Sequence, residues 1–519
     1  MPKWPVVVAA LAVAALAFAL TSSTPAHAHG FGPRYDLPVP LYLYLIGAGA
    51  AVALSFVVIG AVLRGSPGLH GYPRLDLLRW RLARSVASPE TLFVIKVASV
   101  SLFILMVLTG LFGDQRPDKN LTPTLIWVLW WVGTAYVSAF LGNVWALVNP
   151  WKITFGWAEG LYKRLNPQGR LSLTLPYPQW LGYWPGVALF GAFSWVENVY
   201  PGSAEPRDLS VLVLLYSAVT WSGMFLFGRN VWLRHGEAFS LIFGFLSRFA
   251  PTQVRVREPE ACQTCSLECR SPGGECVDCY ECYERAGASR REWNLRPFAA
   301  GLLLDERVRF SQMAFVLLML ATVSFDGFTA TSTWSSILRD TFDNLSFLGG
   351  QALTGAKTAG LVWFTALFPL AFLLVTALVA AFSGTGKSPG EVARVLVYSL
   401  IPIALAYHLA HFFSFLIIQG QSIIPLASDP FGYGWDLFGT SDYRPNIGII
   451  NARTVWFTSI AAIVIGHIVA VYVAHIVALR VFRDRRLAQR SQYPMLALMV
   501  GYTMLSLWIL AQPIMETAV

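Results

Sequence analysis

Residues 395–419 read VLVYSLIPIALAYHLAHFFSFLIIQ. This stretch contains no Lys, Arg, Asp or Glu, and it carries His408 and His411 three positions apart. A helix needs about 20 consecutive apolar residues to cross the hydrocarbon core of a bilayer. The stretch therefore predicts a transmembrane helix with both histidines on one face, inside the membrane.

The same signal recurs along the whole chain. Ten stretches reach spanning length or approach it, near 41–63, 91–113, 124–148, 180–196, 209–227, 310–328, 359–382, 395–419, 454–479 and 494–514. The composition is 55% hydrophobic and only 13% charged, which is too apolar for a soluble protein. We therefore expect an all-α polytopic membrane protein with about ten transmembrane helices in a lipid bilayer. The fourth stretch is the weakest, because it is short and contains Pro185.

The positions of Lys and Arg account for the net charge of +9. The segments 64–90, 149–178, 228–309, 383–394 and 480–493 hold 28 of the 38 basic residues, and the alternate segments hold eight. Excess Lys and Arg marks cytoplasmic loops. The pattern predicts a mature N-terminus outside and a cytoplasmic 228–309 loop, and it gives no reason to expect a nucleic-acid partner.

The first 28 residues predict a cleavable signal peptide. Lys3 is a short basic start, residues 6–20 are apolar, and residues 26–28 (AHA) form a small-x-small cleavage site. A retained membrane span is the alternative, although 15 apolar residues are few for one. Cleavage would leave His29 at the mature N-terminus, where its amine and ring together could chelate copper. A cut that happens to precede a histidine is the alternative.

The mature chain divides into a first five-helix membrane half (29–227), a cytoplasmic loop (228–309) and a second five-helix membrane half (310–519) that bears the histidines. In the loop, the amphipathic stretch 237–249 is expected to lie along the membrane surface. The loop also holds every cysteine of the chain: Cys262, Cys265, Cys269, Cys276, Cys279 and Cys282.

The cysteine spacing predicts a metal site. Two-residue gaps let two sulfurs turn toward one point, as a tetrahedral metal or an iron–sulfur cluster requires. Thiols stay reduced in the cytoplasm, which favours a metal over the alternative of a disulfide-stapled loop. The spacing of Cys276, Cys279 and Cys282 resembles part of a ferredoxin-type run, whereas two C-x-x-C pairs would suit structural zinc. We expect zinc or an iron–sulfur cluster.

The stretch 454–479 carries two further histidines, His467 and His475. His408, His411 and His467 would lie about 17, 12 and 20 Å from the outer surface at about 1.5 Å per residue. His475 would lie near the inner face. Ionisable side chains within a membrane point inward, so we expect three imidazoles to share a divalent metal ion of unknown identity, or a haem iron. The alternative is that each only hydrogen-bonds a neighbouring helix.

Carboxylates could complete this site from the outer side. Asp326 ends the sixth stretch, in Phe325-Asp326-Gly327, and Asp436 lies in an outer loop rich in glycines and aromatics. Such a composition suits a structured loop better than a flexible linker. Asp326 and Asp436 are therefore candidate catalytic residues, with an ordinary solvated carboxylate as the alternative for each.

Five landmarks extend over nearly the whole mature chain: 29–38 (HGFGPRYDLP), 143–151 (NVWALVNPW), the cysteine loop, 325–327 (FDG) and 434–440 (GWDLFGT). Together they resemble the bacterial membrane proteins known as fenitrothion hydrolases. The resemblance implies a hydrolase in the bacterial inner (plasma) membrane that cuts an apolar organophosphorus ester to a phenol and a dialkyl thiophosphate. It also implies a related second membrane subunit.

Hydrolysis of such an ester needs an activated water and an electrophile at phosphorus. The predicted histidines, with Asp326 or Asp436, could supply both through a metal ion. Two other classes stay open. One is a redox or metal-handling membrane protein with His-bound haem or copper and a Cys-bound iron–sulfur cluster. The other is a transporter in which the buried histidines line the path.

Overall fold

The computed structural model describes residues 37–62, 72–257, 276–303, 308–383, 386–482 and 485–515. Helices dominate these ranges, and nine of the helical segments in them are long and apolar enough to cross a membrane. The predicted fold class, an all-α polytopic membrane protein, is confirmed.

The helices that precede the cysteine region are α1 (Leu41–Val62), α2 (Arg81–Val86), α3 (Pro89–Phe112), α4 (Leu121–Phe140), α5 (Trp145–Val148), α6 (Pro150–Leu165), α7 (Trp184–Asn198), α8 (Pro206–Phe227), α9 (Arg229–His235) and α10 (Ala238–Ser247). Within α4, the residues Thr124–Gly133 form a π-helix. A π-helical segment is rare and is frequently found at functional sites.

The later helices are α11 (Tyr280–Arg285), α12 (Phe310–Thr329), α13 (Ser332–Asn344), α14 (Ala352–Ser383), α15 (Pro389–Leu396), α16 (Ile401–Gln419), α17 (Ile423–Ser428), α18 (Ala452–Val481), α19 (Arg485–Ser491) and α20 (Tyr493–Met515). Short 3-10 turns lie at Leu77–Arg79, Pro117–Lys119, Ala288–Arg290, Ala300–Leu303, Ser346–Gln351, Val397–Leu400 and Gly420–Ser422.

One small antiparallel sheet accompanies the helices. It comprises β1 (Leu75–Asp76), β2 (Thr252–Val256), β3 (Cys276–Val277) and β4 (Arg291–Leu295), in the order β1-β4-β2-β3. Next to β4, the side chain of Arg296 is fully buried and donates to the Gln253 Oε1 atom (2.8 Å) and the Asp278 Oδ2 atom (3.1 Å). We call the described residues 252–257 and 276–296 the cysteine lobe.

Two predicted segments differ from expectation. The fourth apolar stretch forms only the 15-residue helix α7, which is shorter than a single span requires. The prediction that 237–249 lies along the membrane surface is wrong. Helix α10 contacts α4, α7 and α16, and Phe243 in its middle is fully buried. The reason is its composition: a helix that is apolar nearly all round (AFSLIFGFLS) is stable inside a core rather than at a surface.

Two glycines let neighbouring helices approach α16 closely. A Cβ added at Gly327 on α12 would lie 2.0 Å from the Tyr407 hydroxyl on α16. A Cβ added at Gly466 on α18 would lie 2.3 Å from the Ala406 Cβ, also on α16. Small residues at helix crossings allow this close packing in membranes. The two contacts determine where the histidines of α16 lie relative to both neighbours.

Candidate functional site

Four ionisable side chains lie close together inside the bundle. Glu197 is the penultimate residue of α7, Asp326 lies three residues before the end of α12, and His408 and His411 lie in the middle of α16. Helix α12 packs against both α7 and α16. We call Glu197, Asp326, His408 and His411 the acid–histidine cluster.

The strongest contact in the cluster joins His411 to Asp326. The His411 Nε2 atom lies 2.8 Å from Asp326 Oδ2, and the two side chains are 18% and 25% exposed. An ionised carboxylate only accepts hydrogen bonds, so when Asp326 is ionised Nε2–H is the donor and Nδ1 is left as the basic ring nitrogen. The aromatic rings of Tyr407 and Phe412 flank the imidazole, with centroids 6.0 and 4.7 Å away. The result is a partly exposed Asp–His pair in aromatic surroundings.

A small cavity lies beside this pair. Its volume is about 20 Å³, and Glu197, Asp326 and His408 line it together with Trp131, Thr322 and apolar side chains. The Trp131 Nε1–H donates to Glu197 Oε1 at 2.7 Å, and the same indole meets the His408 ring edge-on at 5.8 Å. His408 is only 5% exposed, and its Nε2 atom has no hydrogen-bond partner among the described residues.

Helix packing explains why Asp326 reaches α16. Gly327 follows Asp326, and the absence of a side chain there lets Tyr407 of α16 lie against α12. Trp131 belongs to the π-helical part of α4, and its indole lies between Glu197 and the His408 ring. The pattern Phe325-Asp326-Gly327 therefore combines a carboxylate with the close helix approach that brings its histidine partner to it.

The structure does not bring His467 to this cluster. The Ser459 hydroxyl of α18 donates to the Ala410 carbonyl of α16 at 3.2 Å, and Gly466 of α18 lies against Ala406. These two contacts fix the register of the two antiparallel helices. In that register, His467 lies about eight residues, or ~12 Å of helix rise, from the level of His411. The His467 Nδ1 atom instead lies 2.8 Å from the Ile463 carbonyl. Imidazoles that share a metal ion each lie about 2 Å from it. The predicted meeting of three imidazoles is therefore absent.

No group of three or more His, Cys, Asp or Glu side chains within the described ranges is arranged to hold a metal ion. The donors actually in contact, His411 and Asp326, bond to each other, so this pair alone does not fit the expected divalent ion. His475, near the other end of α18, has its Nδ1 atom 3.0 Å from Gln492 Oε1. His29 lies outside the described residues.

Asp436 belongs to a loop that is stabilised by hydrogen bonds between its own residues. Its Oδ1 atom accepts from the Ser441 backbone N–H (3.0 Å) and the Ser428 hydroxyl (3.1 Å). The Ser441 N–H is the main reason why the pKa of Asp436 lies below its ordinary value. Asp429 likewise accepts two backbone hydrogen bonds in this loop. The loop is structured, and the contacts of Asp436 are those of a loop-stabilising residue.

The cysteine lobe contains half of the predicted cysteine site. Cys262, Cys265 and Cys269 lie outside the described residues. Cys276 is disulfide-bonded, which favours the disulfide alternative at that position. The Sγ atoms of Cys279 and Cys282 are buried and 3.5 Å apart, too far for a disulfide of about 2.05 Å.

Glu197 and Trp131 were missed at the level of sequence. A signal was present for Glu197, because it is an acidic residue at the end of the apolar run Trp184–Asn198, and intramembrane acids are functional candidates. No comparable signal singles out Trp131 among the 19 tryptophans. No family model, curated protein or solved structure matches this chain.

Proposed function

We propose that this protein is a membrane-bound hydrolase of apolar esters in which His411, oriented by Asp326, activates water. The observation that supports the proposal is the hydrogen-bonded and partly exposed Asp326–His411 pair within the helical bundle. The substrate class, an organophosphorus triester, comes from the resemblance to fenitrothion hydrolases.

The pair has the parts of a general base. With Nε2–H donated to Asp326, the His411 Nδ1 atom can take a proton from water, and the carboxylate stabilises the imidazolium that forms. The resulting hydroxide forms a bond to phosphorus, and the bond between phosphorus and the aryl oxygen breaks. The imidazolium then protonates the departing phenolate, which regenerates the base. No step is assigned to a divalent ion, because the described donors do not form a site for one.

The surroundings of the Asp326–His411 pair also favour an apolar substrate. Side chains around the pair are aromatic, and the helices that carry it present apolar surfaces suited to lipid. A dialkyl aryl thiophosphate partitions into a bilayer and can approach the exposed edge of the pair. The adjacent cavity of about 20 Å³ is large enough for water but not for the ester.

The test is ester hydrolysis by the full chain in lipid nanodiscs, with fenitrothion-type triesters as substrates. His411→Ala and Asp326→Asn should each lower kcat by roughly 10²–10⁴-fold, as expected for loss of a general base. Asp436→Asn and His467→Gln are matched controls at the predicted sites that do not join the pair, and they should retain turnover. Absence of turnover in the wild type, or full activity of His411→Ala, would refute the proposal.

For the cysteine lobe we propose a thiolate-bound metal that includes Cys279 and Cys282. Two sulfurs that bind one tetrahedral zinc ion at 2.3 Å lie about 3.8 Å apart, close to the 3.5 Å separation seen. Zinc and an iron–sulfur cluster both fit a pair of thiolates. Elemental analysis and a visible spectrum distinguish them: Cys279→Ser should lose the metal, and a wild-type protein without stoichiometric zinc or iron would contradict the proposal.

A further inference from the structure

The cavity beside the Asp–His pair has the size of a water site. Its volume of about 20 Å³ exceeds the roughly 10–15 Å³ that one water molecule requires. Water enters such a space only where polar groups can bind it, and it typically makes about three hydrogen bonds. Glu197, Asp326 and His408 provide polar groups from three different helices, α7, α12 and α16.

Each of these groups has a hydrogen-bonding position beyond its known contacts. Glu197 accepts one hydrogen bond, from Trp131, and a carboxylate has about four acceptor sites. Asp326 accepts from His411 through Oδ2. The buried His408 Nε2 atom has no partner among the described residues. A molecule in the cavity that both donates and accepts would satisfy all three.

Charge narrows the identity of that molecule. Glu197, Asp326 and His408 are the ionisable side chains among the described residues that line the cavity, and neither Lys nor Arg is one of them. Helix α10 contributes only Ile242 and Leu246, and α4 contributes Trp131 and Ala135. Two carboxylates that share one space of low dielectric cannot both be ionised without a large electrostatic penalty. Metal coordination is not favoured by the arrangement.

We propose that Glu197, Asp326 and His408 form a buried proton-binding site, in which a water molecule in the cavity shares one exchangeable proton with the two carboxylates. Among the described residues, further titratable groups surround the site: His411 bonds to Asp326, the Tyr136 ring packs against His408, and the Tyr407 ring packs against His411. Proton binding at this site does not require ester hydrolysis, so this proposal can be tested independently of the proposed function.

The test is infrared difference spectroscopy of the full chain in lipid nanodiscs, across a pH titration and after exchange into D₂O. The wild type should show the C=O stretch of a protonated carboxylic acid that shifts on deuteration. Glu197→Gln should remove or displace this band, and His408→Gln should shift it, because the hydrogen bonding in the cavity changes. Glu159→Gln, at a partly exposed ion pair with Arg229 away from the cavity, is the matched control and should leave the band unchanged.

The experiment distinguishes a misfolded variant, a failure of the proton-site proposal and a failure of the hydrolase proposal. Tryptophan fluorescence and gel filtration show whether each variant is folded, and Glu197→Asp replaces Glu197→Gln if the latter is not. A wild-type protein without a protonated-carboxyl band overturns the proposal. A band that is unaffected by both Glu197→Gln and Asp326→Asn also overturns it. If the band is present but no ester is hydrolysed, the proton site stands and the hydrolase proposal fails.

Discussion

Glu237 and Glu197 are both carboxylates within the helical bundle, and their surroundings are opposite. Glu237 is fully buried at the start of α10. Its two oxygens accept five hydrogen bonds, from the Tyr216 hydroxyl, the Asn149 amide, the Phe239 and Ser240 backbone N–H groups and the Ser240 hydroxyl. Glu197 accepts one, from Trp131, and borders a cavity.

The difference separates an acid that stabilises the fold from an acid that is available for chemistry. Buried polar groups are normally saturated with hydrogen bonds, and each exception needs an explanation. Glu237 is saturated because it caps α10 and joins that helix to α6 and α8 through Asn149 and Tyr216. Glu197 accepts only from Trp131 and keeps acceptor positions for a molecule in the cavity that it shares with Asp326 and His408.

Removal of Glu237 should have the largest effect on stability. Glu237→Ala leaves five donors without their acceptor, and each unsatisfied buried donor costs about 1–3 kcal/mol, although the terms are not additive. We expect the free energy of unfolding to fall by at least ~3 kcal/mol. Denaturant titration in detergent micelles, followed by tryptophan fluorescence, measures it. A change no larger than that of Glu159→Gln would show that the cap is dispensable.

Gly327→Ala should have the next largest effect, and it tests whether close packing holds the acid–histidine cluster together. The new methyl group would lie 2.0 Å from the hydroxyl of the buried Tyr407, so either the Tyr407 ring or the two helices α12 and α16 must shift. Overpacking of this kind costs about 1–3 kcal/mol. Gly501→Ala on α20 is the matched control, because nothing lies within 4 Å of its added Cβ. Equal stability of the two variants would contradict this role of Gly327.

Gly327 and Gly466 show how far the sequence predicts the site. Hydrophobic length predicts the spans well, because a long apolar run has few stable states other than a membrane helix. Depth along each helix predicts that His408, His411 and His467 meet, but the crossings at Gly327 and Gly466 set the register between helices. Those tertiary contacts bring Asp326 to His411 and leave His467 on another level.

Hydrophobic periodicity predicted the wrong position for one helix, because the overall apolar composition of that helix determines where it packs. The run Ala238–Ser247 has an amphipathic pattern, yet its nearly continuous apolar surface places it inside the bundle. The short helix α7 gave a weak spanning signal, and its last turn carries Glu197. In both cases, the segments with the poorest match to a simple membrane span lie in or beside the cluster.

A third carboxylate, Glu284, has a cation as its partner and should respond to acid. Its Oε1 atom lies 2.9 Å from Lys152 Nζ. Burial is the largest single influence and raises the pKa of Glu284, but the charge and hydrogen bond of Lys152 and the charges of Arg229 and Lys96 together outweigh it, so the pKa lies below the ordinary 4.5. Burial also lowers the pKa of Lys152, so protonation of Glu284 leaves a buried ammonium without its counter-charge.

The sign of the pH dependence follows from that lowered pKa. The unfolded chain binds the proton of Glu284 at a higher pH than the folded chain does, so the pair stabilises fully above pH 4.5 and loses its contribution as pH falls through the folded pKa. Because Glu284 is 39% exposed, we expect only about 1 kcal/mol. Hydrogen exchange of the cysteine lobe measures it, and Glu284→Gln should abolish this part of the acid dependence. If the stability of the cysteine lobe depends on acid to the same extent in Glu284→Gln, then a group other than Glu284 causes that dependence.

The smallest effect on stability should come from Glu197→Gln, and it decides whether the comparison with Glu237 holds. A glutamine side chain has nearly the same shape and can still accept from Trp131 Nε1–H, while its amide stands in for a protonated acid toward the cavity. If Glu197 carries a proton in the native state, the free energy of unfolding should change by less than ~1 kcal/mol, because both states keep their hydrogen bonds. If Glu197 is instead an ionised member of a structural charge pair, its neutralisation should cost roughly 3–5 kcal/mol. A loss of that size, measured under the conditions used for Glu237→Ala, would make the two glutamates alike and would remove the reason to treat the cavity as a functional site.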